Sequence, residues 1–439
     1  MAKKQKTAYE LARSQVSTPR EVVKLFWRIT HRYRSRFSRV LDLGAGDGRF
    51  ALGGRYGSYE GVEIDTTWRP LVELSPRAKI RYECAFKHDG RGYSACIGNP
   101  PYVRHHHLDA RWRDSVAKWL GDETGEQLNR KCNLYVYFLF LALLKARNDG
   151  LVSAVVPYEW VSRPSAAPLR RFIQTNGWHV DTYRFTQSIF DDVLTTASIS
   201  VIDKRNQDGQ WQYFELALNG VISELGQITG SSRKILPYEN RGKVWAMRGM
   251  SPGTQKVFTL TEGQRVHAGL THEDVLPCIT SLREVPPDLS RVTHATFRKR
   301  FIDAGAKCWL IRSYANAISP RLQAYLDSVP EKRRDTSTCT SRDCWYRYSL
   351  FDAPSLLVST GFTSFGPKVL LNCVAAHAVG SVCGVYSDTH VSLSHLRDYL
   401  TGIDLEKRVV PHAKHLKKVE IRQLNAVLNG FWQWEERHA

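Results

Sequence analysis

The sequence predicts an α/β fold: a mostly parallel sheet covered by helices on both faces, followed by an irregular α+β unit. Three observations predict it. Strand-like and helix-like segments alternate as far as Ile202. Leu151–Val156 is apolar throughout, as in a parallel strand buried on both faces. Beyond Asn206, Pro, Gly and Arg become denser and the alternation fades.

The elements follow in order. Thr18-Pro19-Arg20-Glu21 opens a helix: Thr18 can cap, Pro19 suits the first helical position, and Glu21 has the capping-box spacing. Arg39–Leu43 is a short strand ending in a Gly-rich turn, Tyr59–Ile64 a second strand, and Ala95–Gly98 a third. Asn133–Ala146 is a strongly apolar helix, followed by the strand Leu151–Val156. Ala166–Asn176 reads as a helix stopped by Gly177, and Ala197–Ile202 as another strand. In the second half, Lys307–Arg312, Ser355–Ser359 and Lys368–Val374 are strand-like. The boundary falls between Asp203 and Met250 and is placed at residue 225, giving units 1–225 and 226–439.

The 439 residues exceed one typical domain. Lys and Arg number 62 against 43 Asp and Glu, a net charge of +19 that favours polyanionic partners. The basic start lacks the apolar core of a signal peptide, and Leu134–Leu144 is too short to span a bilayer. A soluble cytoplasmic chain with no membrane partner is expected. The nine cysteines are scattered, without a CxxC pair, and read as free thiols; no metal site is expected. His105-His106-His107 lacks a carboxylate or Cys partner at ligand spacing and reads as a basic loop.

Three motifs carry chemistry. Asp42-Leu43-Gly44-Ala45-Gly46-Asp47-Gly48 follows the first strand, and its glycines allow a tight turn and close backbone approach to a ligand. Dinucleotide-binding enzymes use a similar loop, but Asp42 before the glycines would repel a pyrophosphate and suits a ligand bearing an ammonium group, as in S-adenosylmethionine. Glu63 ends the second strand, where an acid binds ribose hydroxyls; Asp65 could take that place, or either could be a solvated acid. Asn99-Pro100-Pro101-Tyr102 follows the third strand. Its two prolines stiffen the backbone and remove two donors, leaving carbonyls as acceptors beside the Asn99 amide and the Tyr102 ring. Such a set can grip a planar substrate with an exocyclic amino group; the plainer reading is a rigid turn with a packed Tyr.

In this order the motifs resemble the N6-adenine DNA methyltransferases of the gamma class, found in restriction–modification systems. The resemblance covers residues 14–205 and includes Ser17-Thr18-Pro19, the Gly-rich turn, the Glu63 strand and the NPPY loop. Lys131-Cys132-Asn133-Leu134-Tyr135, Val155-Val156-Pro157-Tyr158-Glu159-Trp160 and Phe190 complete it. It implies a Rossmann-like methyltransferase domain with a mostly parallel seven-stranded sheet, an S-adenosylmethionine cofactor, and a basic C-terminal half serving target recognition on double-stranded DNA. It further implies a monomer, and a cognate restriction endonuclease acting on the same site as a possible partner. The implied cofactor site is Thr18, Asp42, Leu43, Gly44, Ala45, Gly46, Glu63 and Pro101, with Phe138 either flanking the cofactor's adenine or packed as a core aromatic. The family often has an Asp before a Phe after the third strand, against the cofactor's adenine amino group. Here the region reads Arg81-Tyr82-Glu83-Cys84-Ala85-Phe86, and Glu83 can substitute.

The implied catalytic residues are Asn99, Pro100, Tyr102 and Phe190: the target adenine is flipped out, sandwiched by the two rings, and held at N6 by the Asn99 and Pro100 oxygens. In the C-terminal half, Arg291, Arg298, Lys299, Arg300, Arg342, Trp345, Arg347 and Lys368 are candidates for DNA contact or for a solvated basic face. NPPY also occurs in methyltransferases acting on RNA bases or on a protein glutamine amide, and a catalytically silent DNA-binding subunit is a further alternative. The intact NPPY loop speaks against the last.

Overall fold

The computed structural model describes residues 17–70, 73–128, 130–190, 196–224, 239–315, 317–362, 366–405, 408–409, 411–413 and 416–438. The chain divides into two units, residues 1–234 with 410–414 and residues 235–409 with 415–439. The boundary expected at 225 lies outside the described residues.

Helix α1 (Arg20–Thr30) opens the first unit and buries Val22, Val23, Phe26 and Ile29 on one face. Its N-cap residue is Pro19, with no side-chain cap, so Thr18 does not cap as expected. The Thr18 hydroxyl instead accepts a hydrogen bond from Asn99 Nδ2 at 3.0 Å. Four parallel strands follow: β1 (Phe37–Leu43), β2 (Tyr56–Glu63), β3 (Ala78–Tyr82) and β4 (Tyr93–Gly98). Helix α2 (Ala110–Thr124) is capped by Asp109, whose side chain accepts from the Trp112 N–H, and ends at Gly125 with φ +73°. Helix α3 (Leu134–Lys145) is apolar on nearly every side and buried accordingly. It leads directly into β5 (Ala146–Pro157). Helix α4 (Ala167–Thr175) and strands β6 (His179–Phe185), β7 (Ala197–Asp203), β8 (Trp211–Leu216) and β9 (Ile222–Glu224) complete the unit.

The sheet has nine strands in the order β3-β2-β1-β4-β5-β7-β6-β8-β9. It is mostly parallel, with β7 and β9 reversed. The expected count of seven is exceeded because β6 is not an edge: β8 pairs along it, and Phe214 stacks on Tyr183 with ring centroids 4.7 Å apart. Apolar layers cover both faces. One holds α3 and α4 side chains such as Tyr135, Phe140 and Leu169; the other holds Phe26 and Trp27 of α1. This layering leaves the carboxyl ends of β1, β2 and β4 side by side at the point where the Gly-rich turn and the NPPY loop emerge.

In the second unit a five-stranded sheet runs in the order Val244–Arg248, Val382–Ser387, Leu356–Ser359, Val369–Asn372, Arg291–Val292. A four-stranded sheet runs Thr259–Leu260, Trp309–Ile311, Val275–Ile279, His377–Ala378. Helices α5 (Pro320–Asp327), α6 (Leu393–Gly402), α7 (Ile421–Asn429) and α8 (Phe431–His438) accompany them. Among the described residues no helix is long and apolar enough to cross a membrane.

Candidate active site

At the carboxyl ends of β1, β2 and β4 lies a cavity of about 540 Å³. Positive φ at Gly44 (+80°) and Gly46 (+55°) turns the chain tightly after β1. A Cβ on Gly44 would meet Pro101 at 3.7 Å and Phe138 at 3.8 Å, so the turn, the NPPY loop and α3 converge there. Gly46 borders the cavity, and a Cβ there would meet nothing within 4 Å. The Gly46 N–H donates to Glu63 Oε2 at 2.8 Å, and the Asp65 N–H to Oε1 at 2.8 Å. Glu63 therefore fixes both the turn and its own loop. Each carboxylate oxygen keeps a second acceptor site for a hydroxyl ligand.

Thr18, Gly44, Ala45, Gly46, Glu63, Asn99, Pro100, Pro101, Tyr102 and Phe138 all line this cavity. Four expected residues do not. Asp42 is fully buried beneath the turn, where its Oδ2 accepts from the Tyr59 hydroxyl and its Oδ1 has no partner among the described residues. Burial pushes its carboxyl up to about 7; Glu63 and Asp47 add to the rise and the Tyr59 bond opposes it. Leu43 is also buried behind the turn. Glu83 turns away from the cavity to His88, whose Nδ1 lies 2.8 Å from its Oε1, while Cys84, Ala85 and Phe86 line the wall. An alanine thus stands before Phe86, where the family's carboxylate often stands. Phe190 lies outside the lining but meets Tyr102 edge to face, centroids 6.2 Å apart at 79°.

The NPPY loop is held at both ends. Asn99 Nδ2 donates to Thr18, and its Oδ1 is buried without a partner among the described residues. The Tyr102 hydroxyl donates to the Val155 carbonyl at 2.9 Å. No hydrogen bond from the described residues reaches the Pro100 carbonyl. Two polar residues of the lining escaped sequence reasoning: Asp109, which caps α2, and Arg49, whose Nε donates to Asp47 Oδ1 at 2.8 Å and whose Nη1 donates to the Thr18 carbonyl. Arg49 fastens the segment before α1 to the Gly-rich turn. Phe86 also escaped, as did Trp112. Phe86 packs edge to face against both Phe138 and Trp112, each at 5.2 Å, and all three line the cavity. A flat apolar slot of this kind suits a purine ring. Among the described residues no group of three or more His, Cys, Asp or Glu is placed to hold a metal ion. The His105 N–H is held by Asn133 Oδ1 at 3.2 Å, and His107 lines the cavity; the His106 side chain lies outside the described residues.

The second-unit candidates separate by environment. Arg291, Arg298, Lys299, Arg300 and Arg347 are exposed. Lys368, expected as a DNA contact, is not a free cation. Its ammonium donates to the carbonyls of Leu282 (2.8 Å), Arg283 (2.7 Å) and Val285. Arg342 likewise donates to the Pro252 carbonyl, and Trp345 packs against Phe258.

Comparison with known proteins adds to this geometry. The family model described as Eco57I restriction-modification methylase matches residues 63–190. That of the C-terminal domain of the Type II methyltransferase M.Eco57I matches residues 230–398. The chain is 24% identical over 384 residues to the Type II methyltransferase M.XamI of Xanthomonas campestris pv. amaranthicola, covering 80% of this chain and 72% of that protein. It is 21% identical over 290 residues to M.AccI of Acinetobacter calcoaceticus, covering 58% of this chain and 52%, about half, of that relative. A nuclease-deletion mutant of the Type ISP restriction-modification enzyme LlaGI, solved in complex with a DNA substrate mimic, shares the fold. Its TM-score is 0.52 at 11% identity, over 94% of this chain and 46% of that chain. The first unit has a Rossmann-like α/β fold, and residues 63–190 and 230–398 are similar to the methylase and C-terminal domains of the Eco57I type of restriction–modification methylases.

Proposed function

We infer that this chain is a DNA methyltransferase of a restriction–modification system that methylates N6 of a flipped-out adenine. The observation that carries this reading is the Asn99 amide. Its nitrogen is fixed by Thr18, and its buried oxygen is left without a donor on the wall of a cavity shared with Pro100 and Tyr102. A buried acceptor without a donor is costly, by about 1–3 kcal/mol, and is retained where a ligand supplies the donor. An exocyclic amino group has two hydrogens to offer, and Asn99 Oδ1 and the Pro100 carbonyl are two acceptors.

S-adenosylmethionine, when bound, supplies an electrophilic sulfonium methyl. The Gly44–Gly46 backbone, Thr18 and Pro101 would hold its amino-acid end, Glu63 its ribose hydroxyls, and Phe86 and Phe138 its purine. Asp42 would act from beneath the turn, supporting the loop that meets the ammonium group. The two acceptors pull the N6 hydrogens out of conjugation, which localises the nitrogen lone pair toward the methyl donor. Positioning supplies most of the rate, and no nucleophilic side chain is needed. The alkylated nitrogen is strongly acidic and releases its proton to solvent. Tyr102 offers one face to the base, and a base entering there displaces Phe190 from its edge contact. Within this reading the second unit supplies target recognition, a monomer suffices, and a cognate endonuclease cutting the same site is the expected partner.

The test is methyl transfer to unmodified DNA, with modified bases located by sequencing. Wild type is expected to mark adenines at one sequence, and Asn99→Ala to lose transfer while binding cofactor and DNA. Wild-type rates from Asn99→Ala, or modification of another base, RNA or a glutamine amide, would overturn the reading.

A further inference from the structure

Helix α1 carries a feature the cavity does not use. Arg20, Lys24 and Arg28 are exposed at four-residue spacing, and Arg32, just beyond the helix, continues the series. Residues four apart on a helix lie about 6 Å apart along one stripe, and like charges there destabilise it. None of the four is ion-paired among the described residues. The stripe borders an open groove of about 530 Å³ lined by Lys24, Arg28, Arg32 and Arg55, with Trp27 and His31 between them and no Asp or Glu among its lining residues.

The groove is braced from within. The Arg55 N–H donates to His31 Nε2 at 3.1 Å, and His31 Nδ1 bonds the Arg34 carbonyl at 3.0 Å. The Trp27 and His31 rings stack with centroids 5.2 Å apart. A ring nitrogen that accepts an N–H belongs to a neutral imidazole, so the groove's charge is carried by its one lysine and three arginines.

We propose that this stripe and groove bind the phosphate backbone of duplex DNA, a second binding surface on the first unit apart from the cavity. The proposal rests on the reading of the chain as a DNA enzyme. A regular row of cations along a rod matches a regular row of monoanions, and the chain's net charge of +19 has the sign such a partner requires. Thr18, at the head of α1, lines the cavity, so the stripe begins beside the cavity and runs away from it along the helix. It would hold duplex flanking the flipped base.

The test measures duplex binding by fluorescence anisotropy across a salt series, for wild type and the triple variant Lys24→Gln, Arg32→Gln, Arg55→Gln. Arg28 is left intact because its guanidinium also donates to the Gly220 carbonyl at 2.6 Å. The variant is expected to bind roughly tenfold or more weakly at about 0.1 M salt. Its log–log salt slope should be shallower by about 0.9 for each phosphate that the variant fails to neutralise. Melting temperature and S-adenosylmethionine binding should be unchanged. A variant matching wild type in affinity and slope overturns the proposal while leaving the DNA reading intact. A wild type that binds no duplex overturns both. Inorganic phosphate that abolishes the difference at constant ionic strength assigns the groove to a small anion and also overturns it.

Discussion

At the carboxyl ends of β1 and β4, Asp42 and Asn99 each keep one buried oxygen without a hydrogen bond from the described residues. At the other end of the same sheet, where β5 and β6 begin and β7 finishes, buried charge is paired. His179 sits between Asp181 Oδ1 (3.0 Å) and Asp208 (2.9 Å), and Asp181 also accepts from the Tyr33 hydroxyl. Lys204 donates to the Leu143 and Ala146 carbonyls at 3.0 and 2.9 Å, and Arg34 pairs with Asp203 at 3.2 Å. At one end the buried charges are paired within the fold, and at the other two buried oxygens are left without a donor among the described residues. If the carboxyl end carries the proposed chemistry, substitutions at the two ends should separate into different measurements.

Breaking the paired end has the largest expected effect. Asp181→Ala leaves His179 with one carboxylate and Tyr33 with one hydroxyl, and should cost about 3 kcal/mol in urea unfolding while S-adenosylmethionine affinity of the folded fraction stays constant. At the unpaired end the effect falls on turnover. Asn99→Ala should lower methyl transfer about a hundredfold or more with a urea midpoint close to wild type. A large loss of stability instead would mean that Asn99 is structural.

Asp42 sharpens the comparison through pH. Its folded carboxyl stands at about 7, raised first by burial. Folding therefore prefers its protonated form, and that stability is lost as pH rises from about 4 through 7. Asp42→Asn should remove this decline and gain on the order of 2 kcal/mol at pH 8 in calorimetry, with weaker cofactor binding. No gain at pH 8 would show that the site tolerates the charge. His179 behaves in the same sense at higher pH. Its imidazolium is held at about 9, first by the Asp181 hydrogen bond and further by Asp208. Its stability is full below about pH 6.5 and lost as pH rises through 9, a loss that His179→Gln should not show in urea midpoints at pH 7 and 9.5. The smallest effect is expected from Glu83→Gln. Bonded to His88 and outside the cavity, Glu83 should leave S-adenosylmethionine affinity unchanged; a tenfold loss would return it to the site.

How far the sequence foretold this division depended on which groups were apolar. Leu151–Val156 and Asn133–Ala146 announced β5 and α3 because burial on all sides requires unbroken hydrophobicity. Strand β6 was missed because it is buried on both faces yet carries His179, Asp181 and Thr182, polar residues that only their partners make burial-compatible. Strand β3, with Ile80 as its one aliphatic residue beyond Ala78, was missed as an edge. The glycines and prolines of the site were legible since their backbone constraints are local. Which side of the backbone each acid takes was not: Glu63 reaches the cavity, while Asp42 goes under the turn and Glu83 to a histidine. Arg49 was hidden for the same reason, its partner Thr18 lying across a fold that local sequence does not encode.

The margins of the nine-stranded sheet bear on how the chain behaves at high concentration. An unpaired strand edge is a template for another copy, and aggregation follows where that edge is long, flat and apolar. On one margin, β3 carries Lys79 and Arg81, both directed to Glu60 with their side chains 59% and 53% exposed. A strand approaching it must displace or bury those cations. On the other margin β9 offers three residues among the described ones, two of them exposed. Replacing Lys79 and Arg81 by Val would open an apolar margin and leave the buried Glu60 carboxylate with only its Tyr93 hydrogen bond, so the same two cations guard the edge and pair the charge beneath it.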